Sequence, residues 1–370
     1  MNSRYMNVLN FKSVLLNGTD RYTKELQLPD YLYDRSGRLD REKTLAMLLR
    51  EEYGQVMDDG VEVTVSQVGV RTQNVYAGKC RKHITLQFEL RKEDRRSSFP
   101  VDLFLPKCEE YPVVVALDFS LDVNRCYCPL EELMENGIGV ARVLYTNVTS
   151  DDGDFENGIA PLLADRSDPT AAGKLMIWAY AAGLIGKYLL DEGIVPQSRL
   201  FVSGHSRLGK ASLLAAAVYP YFNGVHSNNS GCSGVAISRE KRGETIAKIC
   251  KAFPYWFAPN YQKYADREAE APFDQHYLTA LISPRLLSIA TAVEDTWADT
   301  EAQFLSAEAA SAIYEKDGVE GLVHIDQPLV PGYASMDGRI GFVLRNGPHY
   351  FSRDDWKFFV TFIKQHKETT

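Results

Sequence analysis

No stretch of this sequence approaches the roughly 18 consecutive apolar residues that a membrane-crossing helix needs, so no membrane partner is expected. Basic residues are in the minority, with 41 Lys and Arg against 49 Asp and Glu and a formal net charge of −8. A nucleic-acid partner would require a basic stripe to meet phosphates, and none is present. There are only six cysteines. Cys126 and Cys128 form a C-x-C pair, which is neither a zinc nor a redox spacing, and no second pair lies near it. All six read as reduced thiols, and no metal or organic cofactor is expected. The N-terminus, MNSRYMNVLNFKSVLLNG, lacks the lysine-rich start and long apolar stretch of a secretory signal. As it stands the sequence reads as cytoplasmic, and as secreted or periplasmic if a leader was removed. Internal repeats and low-complexity tracts are also absent. What is there is ordinary globular material: 370 residues, 45% hydrophobic and 24% charged, enough for a large core.

Residues 1–60 are polar and mixed, with a helix predicted over Arg41–Tyr53. They read as an N-terminal helical extension of a single catalytic domain over residues 61–370. Strands are predicted at Val61–Val70, at His83–Leu90, where Ile84, Leu86, Phe88 and Leu90 alternate with polar residues, and at Val101–Leu105. The alternation is that of a half-buried antiparallel strand. From about residue 111 the pattern changes. Pro112–Leu117, Gly139–Leu144, Leu200–Ser203, Leu286–Ala292 and Ile340–Leu344 are apolar runs suited to strands buried on both faces. Helical spacing separates them, at Leu175, Trp178, Ala182, Ile185 and Leu189, over Glu301–Tyr314, and at Trp356, Phe359, Val360 and Ile363. Strands alternating with helices imply an α/β fold, a mostly parallel sheet covered on both faces with an antiparallel N-terminal edge.

The stretch FVSGHSRLGKASLLAAAV, residues 201–218, begins as a buried strand and ends as a helix. Ser206 stands at the corner, with Gly204 before it and Gly209 after it. Glycine lets the chain turn sharply and the helix pack close, which lifts the serine to a helix N-terminus where free N–H groups point outward. The fit to a G-x-S-x-G elbow is imperfect, because Leu208 holds the fifth position. A nucleophilic serine needs a base and an acid, which in such folds follow in the order serine, acid, histidine. His349, in RNGPHY, comes directly after the last predicted strand and before the last helix, where the base is expected. His366 lies near the tail and is expected to face solvent. For the acid, Val293–Asp299 follows the strand Leu286–Ala292 and carries three carboxylates. Asp295 lies just past the strand end, Asp299 suits a helix cap, and Glu294 suits solvent.

Together these segments resemble the glucuronoyl esterases, carbohydrate esterase family 15, particularly the bacterial branch. The resemblance rests on GHSRLGK at 204–210, SNNSGCSG at 227–234, FDQHYLTALISPR at 273–285, EDTWAD at 294–299 and NGPHYFSRDDW at 346–356. It covers roughly residues 100–368. It implies an α/β-hydrolase fold and cleavage of the ester that joins a glucuronic acid side chain of xylan to a lignin alcohol. Carried over residue by residue, it implies Ser206 as nucleophile, His349 as base and Arg207 on the oxyanion. It also implies Lys210 and Glu244 on the sugar hydroxyls and Trp297 beside the uronic acid ring. Two positions depart from the family. Many members take the triad acid from a glutamate where Asn229 stands here, and others use an acid after the later strand, where Asp295 fits. Fungal members carry a disulfide-bonded cysteine where His205 stands. Plainer roles exist for several of these residues: an ion pair for Arg207, a soluble helix surface for Lys210, a core aromatic for Trp297, a solvated charge for Glu244. Asp274 and His276 are expected to hold a loop beneath the site. The expected partner is a xylan or oligosaccharide ester bearing glucuronic acid. An acetyl xylan esterase with the same triad, or a non-catalytic carbohydrate-binding relative, are the alternatives.

Overall fold

The computed structural model describes residues 5–7, 26–72, 76–122 and 128–366; Cys126 and the first residues of the N-terminal extension lie outside them. The strands are β1 (Tyr5–Asn7), β2 (Gln27–Pro29), β3 (Glu62–Arg71), β4 (Cys80–Lys92), β5 (Arg95–Pro106), β6 (Val113–Asp118), β7 (Gly139–Leu144), β8 (Leu200–His205), β9 (Gly224–Asn228), β10 (Leu286–Ala292), β11 (Ala334–Ser335) and β12 (Ile340–Arg345). The helices are α1 (Arg41–Leu48), α2 (Leu130–Glu135), α3 (Tyr145–Val148), α4 (Ala160–Leu163), α5 (Lys174–Asp191), α6 (Arg207–Val218), α7 (Ile246–Ala252), α8 (His276–Ala280), α9 (Thr300–Lys316) and α10 (Arg353–Gln365).

Ten strands make one sheet in the order β11-β12-β10-β9-β8-β6-β7-β5-β4-β3. From β12 to β7 neighbours run parallel. β3, β4 and β5 form the expected antiparallel edge. The continuous apolar runs are explained by two-sided burial. Along β6, Val113, Val115 and Leu117 enter the core that holds Leu175, Trp178, Ala182 and Ile185 of α5. Val114 and Ala116 point the other way, to Leu130 and Leu133 of α2 and to Trp356 and Phe359 of α10.

Three local expectations are revised. The β4–β5 hairpin is longer than the alternating segments suggested, with Lys92 paired to Arg95. Its charged tip hides the strand in the sequence, because ladder hydrogen bonds do not depend on apolar side chains. The helix predicted over Arg41–Tyr53 is α-helical only to Leu48 and continues as a π-helical turn over Leu49–Tyr53. His366 is buried, not exposed, its ring 4.6 Å from that of Phe362.

The N-terminal segment is laid against the same core, through Tyr31, Leu39, Met47, Leu48 and Tyr53. Glu52 goes in with it and is fully buried. Gln275 Nε2 donates to both its oxygens, at 3.0 and 2.9 Å. Burial nevertheless pushes its carboxyl from the ordinary 4.5 up to about 7. Between these values the folded state holds a proton that the unfolded chain has released, so stability falls as pH rises through that window. The loss is at most about 3 kcal/mol. Thermal melts of wild type and Glu52→Gln from pH 5 to 8 should therefore diverge with pH, in favour of the variant. A constant offset between the two curves would refute the assignment.

Candidate active site

Ser206 sits where β8 ends and α6 begins, with φ 57° and ψ −125°. A non-glycine residue in this region is strained, and three features hold it there. Ser206 N donates to Asn228 O at 2.8 Å. A Cβ on Gly204 would lie 2.2 Å from Leu208 O, so only glycine fits beneath the turn. A Cβ on Gly209 would lie 3.0 Å from Asn228 O, which is how closely α6 approaches β9. The departure from G-x-S-x-G is thus tolerated because Gly209, one residue late, still faces the sheet. The Ser206 side chain makes no capping hydrogen bond to α6, which leaves its hydroxyl for chemistry.

His349 follows β12 on a loop that Arg345 gathers. The guanidinium donates to Asn346 O at 2.8 Å, to Pro348 O at 3.3 Å and to Tyr350 O, while Asp355 holds its Nε at 2.9 Å. The loop after β10 is tied to it by Val293 N to Arg345 O and Glu294 N to Gly347 O. This brings Asp295 Oδ2 to 2.6 Å from His349 Nδ1. Asp295 is buried, at 4% exposed, and its Oδ1 accepts from Ala298 N at 3.1 Å. Its neighbours are used otherwise: Asp299 caps α9 by accepting from Ala302 N at 3.2 Å, and Glu294 is exposed. Asn229 is buried and donates to Tyr350 O at 3.4 Å. The His205 ring lies beside that of His349, with centroids 4.5 Å apart and planes tilted by 42°, and its Nδ1 lies 2.5 Å from Asn228 Oδ1. Burial, then the adjacent His349, pushes it down to about 3, which keeps it neutral.

Ser206, Arg207, Lys210, Asn229, Glu244, Trp256, Trp297 and His349 line one cavity of about 190 Å³. Lys210 and Glu244 are both buried in its wall. The three ammonium protons of Lys210 meet Ser230 O at 2.6 Å, Cys232 O at 2.6 Å and Glu244 Oε2 at 3.0 Å. Glu244 N donates to Trp297 O, which joins the two loops. Trp297 is 50% exposed and stands at the rim. A second cavity, of about 300 Å³, opens on the other side of Ser206, Arg207 and His349 and is walled by Phe119, His205, Phe351 and Trp356. Asp274 accepts from Ser238 N at 2.6 Å, and His276 Nε2 lies 2.9 Å from Pro29 O at the end of β2. Among the described residues no group of three or more His, Cys, Asp or Glu is placed to hold a metal ion, and no helix is long and apolar enough to cross a membrane.

The ion pair weighed for Arg207 is present: its Nη1 donates to Asp151 Oδ2. The guanidinium also lies 4.7 Å from the Trp256 ring centroid. Its Nε is buried and has no hydrogen-bond partner. Arg207 as a residue lines the cavity beside Ser206, and a guanidinium there can stabilise an anionic oxygen. Sequence reasoning passed over Phe119, Asp151 and Trp256. Phe119 was within reach of it, since the residue after this strand carries part of the oxyanion site in such folds. Nothing in the sequence marks Asp151.

A parallel sheet, a strained serine between strand and helix, and a histidine–carboxylate pair after the last two long parallel strands define an α/β-hydrolase. The family profile described as "Glucuronyl esterase, fungi" matches residues 88–318. The chain therefore belongs to the glucuronoyl esterases, carbohydrate esterase family 15. It is 35% identical over 241 residues to a carbohydrate esterase from an unknown prokaryotic organism, covering 64% of this chain and 55% of the relative. It is 28% identical over 172 residues to the 4-O-methyl-glucuronoyl methylesterase of Podospora anserina, covering 43% of this chain and 36% of the relative. The matches thus span about half or less of the curated relatives' length. Among solved structures, the glucuronoyl esterase from Solibacter usitatus superposes with a TM-score of 0.82 at 28% identity, covering 92% of this chain and 97% of that one. A family 15 glucuronoyl esterase from Teredinibacter turnerae gives 0.81 at 26% identity, covering 92% and 89%.

Proposed function

We propose that this chain is a serine carboxylesterase that hydrolyses esters of (4-O-methyl)glucuronic acid, such as those joining xylan side chains to lignin alcohols. Residues 61–370 are the catalytic domain and residues 1–60 an N-terminal extension of it. The observation that carries the reading is a single cavity lined by Ser206 and His349 together with Lys210, Glu244 and Trp297. A nucleophile and a set of groups suited to a polar ring then face the same bound molecule.

Ser206 Oγ attacks the ester carbonyl, and His349 Nε2 takes its proton while Nδ1 stays on Asp295. The oxyanion is met by the Arg207 guanidinium and by backbone N–H groups at the start of α6. Collapse expels the alcohol, which carries away the proton from His349. Water, activated by His349, then attacks the acyl-enzyme and releases the uronic acid and Ser206. No step calls for a metal or cofactor. In the acyl pocket Lys210 aims and balances the Glu244 carboxylate, whose other oxygen accepts from sugar hydroxyls, and Trp297 walls the ring.

Parallel rates on a benzyl ester of glucuronic acid and on an acetylated xylo-oligosaccharide test this reading. The glucuronate ester should be the far better substrate. Glu244→Ala and Lys210→Ala should each lower its kcat/KM by about 10- to 100-fold, the scale of losing one or two buried polar contacts. A small acetyl ester should change little. A preference for acetylated sugar, or equal damage to both activities, would leave an acetyl esterase in its place. Failure of Ser206 to react with a phosphonate probe would leave a binding protein.

A further inference from the structure

Asp151 lies 56 positions before Arg207, in the loop TSDDGDFEN at residues 149–157, and belongs to none of the stretches that resemble the family. Its carboxylate is nevertheless mostly enclosed, at 11% side-chain exposure. Trp256 Nε1 donates to Oδ1 at 2.7 Å, Tyr145 OH donates to Oδ2 at 3.1 Å, and Arg207 Nη1 donates to Oδ2. Tyr255 OH holds the backbone carbonyl of the same residue at 2.9 Å. The loop is fixed behind it. Asn157 Oδ1 accepts from Ser150 N at 2.8 Å, and the buried Lys174 donates to Thr149 Oγ1 at 2.6 Å and to Asp154 O at 2.5 Å.

Trp256 serves two groups in this arrangement. Its ring stacks on Phe253 at 3.9 Å and lies under the Arg207 guanidinium, while its N–H orients Asp151. The guanidinium is therefore set in plane by Trp256 and in rotation by Asp151, which takes Nη1. The Nε edge is left without a protein partner. An arginine side chain otherwise samples many rotamers, and a donor that must be reordered in the transition state loses much of its catalytic value.

We propose that Asp151 is a positioning residue for catalysis, which together with Trp256 locks the Arg207 guanidinium in the cavity wall beside Ser206, where it meets the oxyanion. The proposal rests on the esterase reading above and on Arg207 as an oxyanion donor. The wild-type enzyme and four variants test it, namely Asp151→Asn, Asp151→Ala, Arg207→Ala and the double variant Asp151→Ala/Arg207→Ala, the last three completing a cycle with wild type. Using a benzyl glucuronate ester, Arg207→Ala should lower kcat by about 10²- to 10³-fold. Asp151→Asn, which keeps the shape and removes the charge, should lower kcat about 10-fold or more with KM within about two-fold, the signature of a contact that acts in the transition state. The double variant should be no slower than Arg207→Ala, because Asp151 acts only through the arginine. If Asp151→Asn leaves kcat unchanged while Arg207→Ala lowers it, the positioning role is wrong. If the double variant loses the product of the two single effects, Asp151 is a structural residue and the role is likewise wrong. If Arg207→Ala itself leaves kcat intact, the oxyanion reading fails and the positioning role falls with it.

Discussion

Replacing Ser206 with alanine should lower kcat on a glucuronate ester by about 10⁶-fold, the scale found when the nucleophile of such a triad is removed. The expectation follows from local geometry. Ser206 is held at positive φ by Gly204 and by its N–H to Asn228 O, and its hydroxyl caps nothing. Alanine suits the same backbone no worse than serine and removes only Oγ, so folding should be untouched. Ground-state binding should survive as well, since the acyl cavity wall formed by Lys210, Glu244 and Trp297 is intact. Calorimetry of Ser206→Ala with a glucuronate ester, beside single-turnover rates, checks both halves. A variant that still hydrolyses the ester within about 100-fold of wild type would exclude Ser206 as nucleophile, because oxyanion stabilisation and binding alone leave far less.

Asp295→Asn should cost about 10⁴-fold in kcat with little change in KM. The carboxylate lies 2.6 Å from His349 Nδ1 in a buried setting. In the proposed mechanism it fixes the tautomer that offers Nε2 as base and balances the imidazolium formed in the transition state. Asparagine fills the same space, yet can present its amide N–H to Nδ1 and so turn the histidine to the wrong tautomer. The control is Asn229→Ala, at the position where many relatives keep the acid. Its side chain contacts Tyr350 O and Asn228, so its loss should cost no more than about 10-fold, through the His349 loop. Steady-state kinetics of both variants decide the matter. A large effect at Asn229 with a small one at Asp295 would reverse the assignment.

How much of this was legible differs by residue, and the reason is range. Ser206 and its glycines are a local backbone requirement: a sharp strand-to-helix turn needs those residue types at those positions, whatever surrounds them. His349 and Asp295 were legible through order, because a parallel sheet delivers the ends of its strands to one edge. Asp299 as a cap was legible from the helix that follows it. The charged tip of the β4–β5 hairpin was not, since backbone pairing leaves no apolar trace. His366 was misplaced because a position near the tail was taken to mean exposure, whereas Phe362 covers it.

By itself the sequence determined the α/β class, the parallel sheet with its antiparallel edge, the family, and which serine and histidine to watch. Each of these depends on periodicity, on turn-forming residues or on short contiguous motifs. Only the tertiary structure decided what Lys210 and Arg207 touch. It spends all three protons of Lys210 on Ser230, Cys232 and Glu244. It pairs Arg207 with Asp151 across 56 residues of chain, over a tryptophan that lies on the other side of Arg207 in the sequence. A charged side chain carries several donors and a long flexible stem, so its partner is chosen by whichever acceptors the fold brings within reach. Nothing in the local sequence encodes that choice.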